Sequence, residues 1–382
     1  IKTFKLEGLI PATFTPMTAD GEVDYDKYET YCQYLVDRGI TQIYVNGTTG
    51  EGFSLTLEER KKVVETWINV GKKTGKIKQI VVQVGALNLH DTIAMVQHAK
   101  KVGADAIATV PPLFYKPKTI DNLIKYCREV ANAAPELPFY FYHLPSLTGV
   151  EQLVRNGMSF IKGDGANEQL VREVCQASIH EHMDEEGDAQ NQENLHARLQ
   201  EHPVPANVED FLKAASAEIP SLVGVKFSSK DLVDMLGCVH VPAPHRDDGK
   251  YNLVFGTDEK LMAAMVLGAD GSVGSLCNFM APLMNRILTN TAAGRILEAR
   301  EDQYRAQQMC RVMYKYGTKT RKVGSEVASD MFGSNVAALK AIMAMVGLDL
   351  GGPRSPMRNG TPDELEAYRK ELDGMGFFQW YK

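Results

Sequence analysis

The sequence predicts a (β/α)8 (TIM) barrel, in which eight parallel strands form a closed sheet and helices surround it. Short apolar runs of strand length occur eight times along the chain, and a stretch of helical length follows each of them. Glycine or proline residues end several of these stretches. The strands must run parallel, because each helix returns the chain to the edge where the next strand starts. Eight units favour a closed barrel over an open doubly wound sheet, although spacing alone is compatible with both.

The first five strands lie in the N-terminal part of the chain. They are predicted at residues 8–14, 42–45, 77–84, 106–110 and 138–143. The helices between them are predicted at residues 25–38, 56–73, 91–102 and 120–134. The second helix has the clearest start, because Thr56 followed three residues later by Glu59 is a capping box.

The last three units follow after residue 203. Their strands are predicted at residues 222–226, 252–255 and 271–274, and their helices at residues 208–217, 231–238 and 259–267. Beyond Pro282 we predict helices and no further strand, over residues 283–348 and 362–374. The chain is therefore divided into a catalytic barrel, residues 1–282, and a C-terminal helical region, residues 283–382.

A long insertion follows the fifth strand. Residues 151–203 carry no strand pattern and include an acidic run at residues 184–188. Insertions of this length between consecutive units are usually functional or disordered. We expect a surface excursion without a direct part in the chemistry. A lid over the site and a perturbation of subunit assembly remain the alternatives.

Composition and charge exclude several classes of partner. A net charge of -6 argues against a nucleic-acid surface. No apolar run approaches the roughly 18 residues of a membrane span, and the first residues lack the apolar core of a secretion signal. The 6 cysteines are scattered without a C-x-x-C pair, which is typical of reduced thiols in a cytoplasmic protein. The histidines show no metal-ligand spacing.

Two candidate catalytic residues end neighbouring strands, where the active sites of such barrels lie. Lys226 closes an apolar strand, and a desolvated lysine can form a Schiff base with a ketone. Taken alone, a lysine at a strand end is more often solvated. Tyr142 shares one strand face with Tyr140, while Phe139, Phe141 and His143 take the other. A phenol beside a lysine suits carbon–carbon lyase chemistry, and an aromatic core is the alternative.

Other strand ends carry candidate binding groups. The second strand is followed by Thr48 and Thr49 between glycines, where hydroxyl and backbone N–H groups suit a small carboxylate. An ordinary turn is an equally good interpretation of this loop alone. The seventh strand is followed by Asp258 and Glu259, which could accept hydrogen bonds from substrate hydroxyls or cap the next helix. The eighth strand ends at Ser275.

Taken together, these motifs resemble the pyruvate-dependent class I aldolases, the family of N-acetylneuraminate lyase and dihydrodipicolinate synthase. The shared residues are Gly47-Thr48-Thr49-Gly50-Glu51, Tyr142 with Leu144-Pro145, and Gly224 with Lys226. The resemblance covers about residues 7–150 and 205–375. It implies that Lys226 forms the Schiff base without a metal or other cofactor, that Tyr142 is catalytic, and that Thr48 and Thr49 bind the carboxylate of pyruvate. It also implies five contacts to the sugar acid, from Ser228, Gly256, Asp258, Glu259 and Ser275.

The resemblance also limits the choice of substrate and implies an oligomeric state. Leu147 stands where dihydrodipicolinate synthases typically carry an arginine, which disfavours a dicarboxylic product. The motifs most resemble the animal N-acetylneuraminate lyases, which implies reversible cleavage of N-acetylneuraminate to N-acetylmannosamine and pyruvate. The alternatives are another 2-keto-3-deoxy sugar acid, or a catalytically silent barrel used as an interaction scaffold. A homotetramer is implied, although Phe114 replaces a tyrosine that in many relatives reaches a neighbouring subunit, and Tyr115 follows it.

Overall fold

Eight parallel strands form a barrel, which confirms the predicted (β/α)8 fold. The structure is a computed structural model that describes residues 1–150, 153–154, 205–318, 321–323, 326–328 and 334–381. The strands of the barrel in this part of the chain are β1 (Gly8–Leu9), β2 (Gln42–Val45), β3 (Gln79–Gln83), β4 (Ala106–Thr109), β5 (Phe139–His143), β6 (Leu222–Phe227), β7 (Asn252–Phe255) and β8 (Gly271–Ser272).

Each strand pairs with its neighbours in parallel, in the order β1-β8-β7-β6-β5-β4-β3-β2. A single parallel bridge between Ala12 and Tyr44 joins β1 to β2 and closes the barrel. Around it, the Tyr44 N–H donates to the Pro11 carbonyl (2.9 Å), and the Thr13 N–H donates to the Tyr44 carbonyl (3.0 Å). Because Pro11 has no N–H to donate, the regular strand is shorter than the predicted residues 8–14.

In the described residues, one α-helix longer than a single turn follows each strand and covers the outside of the barrel. These helices are α1 (Lys27–Val36), α2 (Leu57–Thr74), α3 (Leu89–Val102), α4 (Ile120–Asn132), α5 (Val208–Ala215), α6 (Leu232–Val239), α7 (Leu261–Leu267) and α8 (Ala281–Ala292). The predicted capping box starts α2. The Thr56 hydroxyl accepts from the Glu59 N–H (3.2 Å), and a Glu59 carboxylate oxygen accepts from the Thr56 N–H (2.7 Å). Short 3-10 turns, Asp258–Lys260 and Leu276–Asn278, precede α7 and α8.

The alternation of side chains along the strands separates two apolar cores. Tyr140 and Tyr142 belong to the inner core of the barrel, whereas Phe139 and Phe141 pack outside, between the sheet and the helices. This is the arrangement that the period of two predicts for β5. Gly224 of β6 makes room inside, because a Cβ there would lie 2.7 Å from the Tyr140 ring.

The insertion leaves and rejoins the barrel through a small antiparallel pair. After the short helix Pro145–Thr148, the strand Leu153–Val154 pairs with Pro205–Ala206. Apart from Leu153–Val154, the predicted excursion over residues 151–203 lies outside the described residues.

The C-terminal region packs further helices against the barrel. They are α9 (Ile296–Thr318), α10 (Asn335–Met345), α11 (Pro362–Gly374) and the short helix Phe377–Trp380. The prediction of no strand beyond Pro282 is wrong, because Arg321–Val323 pairs with Glu326–Ala328. Strands of three residues are too short to give a periodic pattern. Helix α8 begins at Ala281 and so crosses the boundary drawn at residue 282; the division into two regions stays a prediction.

Neither a membrane span nor a disulfide is found in the described residues. No helix there combines the length and the apolar character needed to cross a membrane. The cysteines there are buried free thiols, at Cys32, Cys127, Cys238, Cys277 and Cys310. Cys175 lies outside the described residues.

Candidate active site

A cavity of about 400 Å³ opens at the C-terminal ends of the barrel strands. Every site residue predicted from the sequence lines it: Thr48, Thr49, Tyr142, Lys226, Ser228, Gly256, Asp258, Glu259 and Ser275. The C-terminal helices complete the wall with residues that the sequence did not indicate: Cys310, Met313, Tyr314, Asn335, Val336 and Leu339. The site is thus built by the barrel and the C-terminal region together.

Lys226 and Tyr142 lie opposite each other on adjacent strands. Their Cα atoms are register partners in the β5–β6 pair, and both side chains are buried. The Lys226 ammonium nitrogen (Nζ) lies 3.9 Å from the centroid of the Tyr142 ring and 4.1 Å from that of Tyr44. The two rings meet edge to face, with centroids 5.9 Å apart. Tyr44 was not predicted, although alternation along β2 places it on the inner face.

The loop after β2, residues 46–52, has a backbone that constrains which residues can occupy it. We call it the β2 loop. Asn46 and Glu51 have left-handed backbones, with φ angles of 60° and 55°. A Cβ on Gly50 would lie 2.8 Å from the Thr13 carbonyl oxygen, and one on Gly52 would lie 2.1 Å from that of Asn46. Glycine is therefore required at both positions, because the backbone comes too close for any side chain.

The β2 loop places two hydroxyls against other strand ends. The Thr48 hydroxyl oxygen lies 3.3 Å from the Tyr142 phenol oxygen. The Thr49 hydroxyl oxygen lies 2.7 Å from that of Ser275, after β8. The loop thereby connects the β5 and β8 sides of the cavity next to Lys226.

Ser228 and Gly256 form a close contact at the ends of β6 and β7. The Ser228 hydroxyl is buried and has no hydrogen-bond partner in the described residues. A Cβ on Gly256 would lie only 1.9 Å from this hydroxyl oxygen. The serine thus has a buried hydroxyl that no described residue uses, whereas buried polar groups normally have a partner.

Two acids take different positions beside the cavity. One oxygen of Asp258 (Oδ2) accepts from the N–H groups of Ser275 (2.9 Å) and Leu276 (3.0 Å). The other oxygen (Oδ1) is buried without a partner in the described residues. Burial raises the pKa of Asp258 to about 6, and the neighbouring Glu259 charge acts in the same direction. Glu259 accepts a hydrogen bond from the phenol of Tyr314 (3.3 Å).

Two residues near the site take no part in the polar constellation. His143 packs outside the barrel between Phe141 and Phe227, where burial lowers the pKa of its imidazole to about 4. Leu147 is 65% exposed and follows Ser146, which lines the cavity.

Within the part of the chain that the structure describes, no group of three His, Cys, Asp or Glu side chains could hold a metal ion.

A buried lysine beside a phenol and paired hydroxyls has the parts needed for covalent chemistry on a carbonyl compound. The amine can add to a ketone, and the phenol can move a proton at a neighbouring atom. Hydroxyl and backbone N–H groups of a glycine-rich loop can hold a carboxylate.

Comparison with known proteins identifies relatives along nearly the whole chain. A model described as the dihydrodipicolinate synthetase family matches residues 5–156 and 212–374. The N-acetylneuraminate lyases of Rattus norvegicus and Homo sapiens are 35% and 34% identical to the chain over 378 residues, 98% of this chain and 94% of each relative. The solved structure of Proteus mirabilis N-acetylneuraminate lyase superposes with a TM-score of 0.73 at 29% identity, covering 98% of this chain and 100% of that chain. The chain belongs to the dihydrodipicolinate synthetase family.

Proposed function

We propose that the protein is an N-acetylneuraminate lyase, a class I aldolase that reversibly cleaves N-acetylneuraminate to N-acetylmannosamine and pyruvate. The observation that carries this proposal is the pairing of Lys226 with Tyr142 in one cavity, beside the hydroxyls of Thr48 and Thr49. Curated relatives with 31% to 35% identity over nearly the full chain are N-acetylneuraminate lyases, which supports the same activity.

The reaction begins with covalent attack by the lysine. Lys226 Nζ adds to the C2 carbonyl of the open-chain sugar acid, and loss of water gives a protonated imine. Tyr142, acting as the phenolate, takes the proton of the C4 hydroxyl while the C3–C4 bond breaks, and the bonding electrons move into the imine to form an enamine. N-acetylmannosamine leaves as the aldehyde. Protonation of the enamine carbon and addition of water release pyruvate and restore the lysine.

The remaining residues hold the substrate. Thr48 and Thr49 bind the carboxylate and fix C2 against the lysine, a positioning effect worth several kcal/mol in general. Five further residues that line the cavity contact the polyhydroxy tail: Ser228, Gly256, Asp258, Glu259 and Ser275. Leu147 cannot pair with a second carboxylate, so a dicarboxylic substrate is disfavoured.

Borohydride trapping tests the chemistry directly. Reduction in the presence of pyruvate is expected to add a pyruvyl-derived mass at Lys226, located by peptide mass spectrometry. Tyr142→Phe keeps this adduct but loses cleavage by about 100-fold or more, because only the proton transfer is removed. Modification at another lysine, or no modification, contradicts the mechanism.

A substrate panel tests the choice of sugar acid. We expect faster pyruvate release from N-acetylneuraminate than from 2-keto-3-deoxygluconate. The reverse order would favour the other 2-keto-3-deoxy sugar acids. Release from neither, in a folded protein, would favour the silent scaffold.

We further propose that the protein is a homotetramer and works in the cytoplasm. Phe114 and Tyr115 are 77% and 87% exposed and stack edge to face with each other, so they form an apolar surface suited to a subunit contact. Light scattering is expected to give the mass of four chains, and Phe114→Asp with Tyr115→Asp is expected to lower it. A monomer for the unmodified chain contradicts the assembly. The buried free thiols support the cytoplasm, which imaging of a tagged full-length protein in its cell of origin would test.

A further inference from the structure

A buried ion pair links the β2 loop to the C-terminal region. Lys340 of α10 and Glu51 of the β2 loop have side chains that are 1% and 0% exposed. The Lys340 ammonium nitrogen lies 2.6 Å from one Glu51 carboxylate oxygen (Oε1). Burial lowers the pKa of Lys340, and the Glu51 charge opposes that change. Burying two charges costs desolvation free energy, so the benefit of this pair is expected to lie in what it holds in place.

Each member of the pair is also anchored to the segment that follows α10. The second Glu51 oxygen (Oε2) accepts from the Arg354 N–H (2.8 Å). Lys340 Nζ donates to the Gly352 carbonyl (2.9 Å). The Arg354 guanidinium pairs in turn with Glu59 in the first turn of α2 (2.7 Å). These contacts fix Glu51 from two sides.

Glu51 is linked to the threonines through the backbone, because its N–H donates to the Thr48 carbonyl (3.0 Å). Glu51 is two residues beyond Thr49, and its backbone has the left-handed φ angle of 55°. A non-glycine residue keeps such a backbone only when its surroundings impose it. The preceding Gly50 carbonyl accepts from the Thr15 hydroxyl (2.6 Å). Within the loop, the Gly52 N–H donates to the Gly47 carbonyl (3.1 Å), so a shift of Glu51 would be passed to the residues on both sides of the threonines.

We propose that Lys340 and Glu51 are positioning residues for the carboxylate subsite, which hold Thr48 and Thr49 in the geometry that binds the carboxylate of pyruvate. The inference rests on the proposed function, because it assigns that carboxylate to the β2 loop. Neither residue is among those that line the cavity. They act through the backbone of the loop.

The test compares two ketones that differ in one charge. Pyruvate and methyl pyruvate both form an imine with a lysine, but only pyruvate carries a free carboxylate. For Lys340→Met and Glu51→Gln, we expect the concentration for half-maximal borohydride trapping at Lys226 to rise about tenfold or more for pyruvate. For methyl pyruvate, the same half-maximal concentration is expected to change less than about twofold.

A double variant separates positioning from stability. Each single change leaves one buried group without its partner and destabilises the fold, whereas Lys340→Met with Glu51→Gln removes both charges and is expected to recover much of the stability. The loss specific to pyruvate is expected to persist in this folded double variant. Recovery of pyruvate trapping together with stability would overturn the inference.

A matched control uses another largely buried acid. Asp302 of α9 pairs with Arg286 of α8 (2.8 Å) and does not line the cavity. Asp302→Asn is expected to lower the unfolding midpoint in urea. It is not expected to change the ratio between the half-maximal trapping concentrations of pyruvate and methyl pyruvate. If the half-maximal trapping concentration rises equally for both ketones in the Lys340 and Glu51 variants, the inference is overturned while the proposed function stands. No trapping at Lys226 in the unmodified chain overturns the proposed function, and this inference with it.

Discussion

At the residue scale, Asp258 has a buried carboxylate of which only one oxygen is hydrogen-bonded within the described residues. Its Oδ2 atom accepts two backbone N–H groups, while Oδ1 has no partner in the described residues. Burial raises its pKa from the ordinary value of 3.8 to about 6. The folded protein therefore keeps this proton at pH values where the unfolded chain has released it. The stabilisation is complete below about pH 4 and is lost as the pH rises through about 6.

Replacing Asp258 by Asn removes this titration. We expect the free energy of unfolding of the unmodified protein to fall, relative to that of Asp258→Asn, by roughly 2 kcal/mol between about pH 4 and pH 7, because most of the energy of a pKa rise of about two is lost over this range. Urea unfolding of both proteins across this range measures the difference, and the contributions of other titrating groups largely cancel. A difference that does not change with pH would contradict the assignment.

Some side-chain positions in the site could be predicted from the sequence alone, and others could not. Alternation on β5 predicted that Tyr142 faces inward and His143 outward, because the strand period is a local property. The contact between Lys340 and Glu51 left no such signal, since the two residues are far apart in sequence and no periodicity relates them. Tyr314 likewise reaches the cavity from a helix whose apolar spacing is that of any packed helix.

At the scale of elements, β6 carries Lys226 and depends on the missing side chain of Gly224. A Cβ at this position would lie 2.0 Å from the Asn252 carbonyl oxygen of β7, closer than any relaxation of a side chain could relieve. The Tyr140 phenol crosses the same space and donates to the Asn252 side-chain oxygen (2.5 Å). The glycine in the Gly224-x-Lys226 motif is therefore a packing requirement of the β5–β6–β7 sheet.

Gly224→Ala is expected to destabilise the protein by about 3 kcal/mol, because the backbone of β7 must move to admit the methyl group. Gly374, at the end of α11, is the matched control, since a Cβ there meets no atom within 4 Å. Gly374→Ala is expected to be neutral or to stabilise by up to about 1 kcal/mol. Both effects are measured by urea unfolding. Equal effects at the two positions would argue against the packing requirement.

Element boundaries were predictable where local chemistry sets them. The capping box at Thr56 marked the start of α2, and the apolar run at residues 252–255 coincides with β7. The strands Arg321–Val323 and Glu326–Ala328 were missed, because three residues are too few to show alternation. The early end of β1 follows from pairing around Pro11, which depends on the partner strand.

At the scale of the whole molecule, the chain leaves for the insertion and returns from it through one antiparallel strand pair. Val154 is the register partner of Pro205, so the two ends of the excursion lie side by side. Two paired ends of this kind can be joined by a two-residue turn. A short turn in place of residues 155–204 is therefore compatible with the described positions of the paired ends.

Deleting residues 155–204 and joining the ends with Asn-Gly tests the predicted role of the insertion. We expect pyruvate trapping at Lys226, the mass of the assembly and the KM for the sugar acid to stay unchanged, because every predicted site residue lies outside the deletion. A chain of the same length with a Gly-Ser linker in place of residues 155–204 serves as control. A higher KM would instead indicate a lid, and an altered mass would indicate a role in assembly.

The junction of β1 and β2 closes the barrel with few backbone hydrogen bonds. Local opening begins where few backbone hydrogen bonds must break, and here the Thr13 and Tyr44 amides carry the pairing around one bridge. The Tyr44 ring also contacts Lys226 Nζ, so separation of the two strands would remove one side of the lysine's enclosure. A ligand that binds only the closed form suppresses such opening. We therefore expect hydrogen–deuterium exchange at the Thr13 and Tyr44 amides to slow when a ligand fills the site, so that these two amides would report on its occupancy.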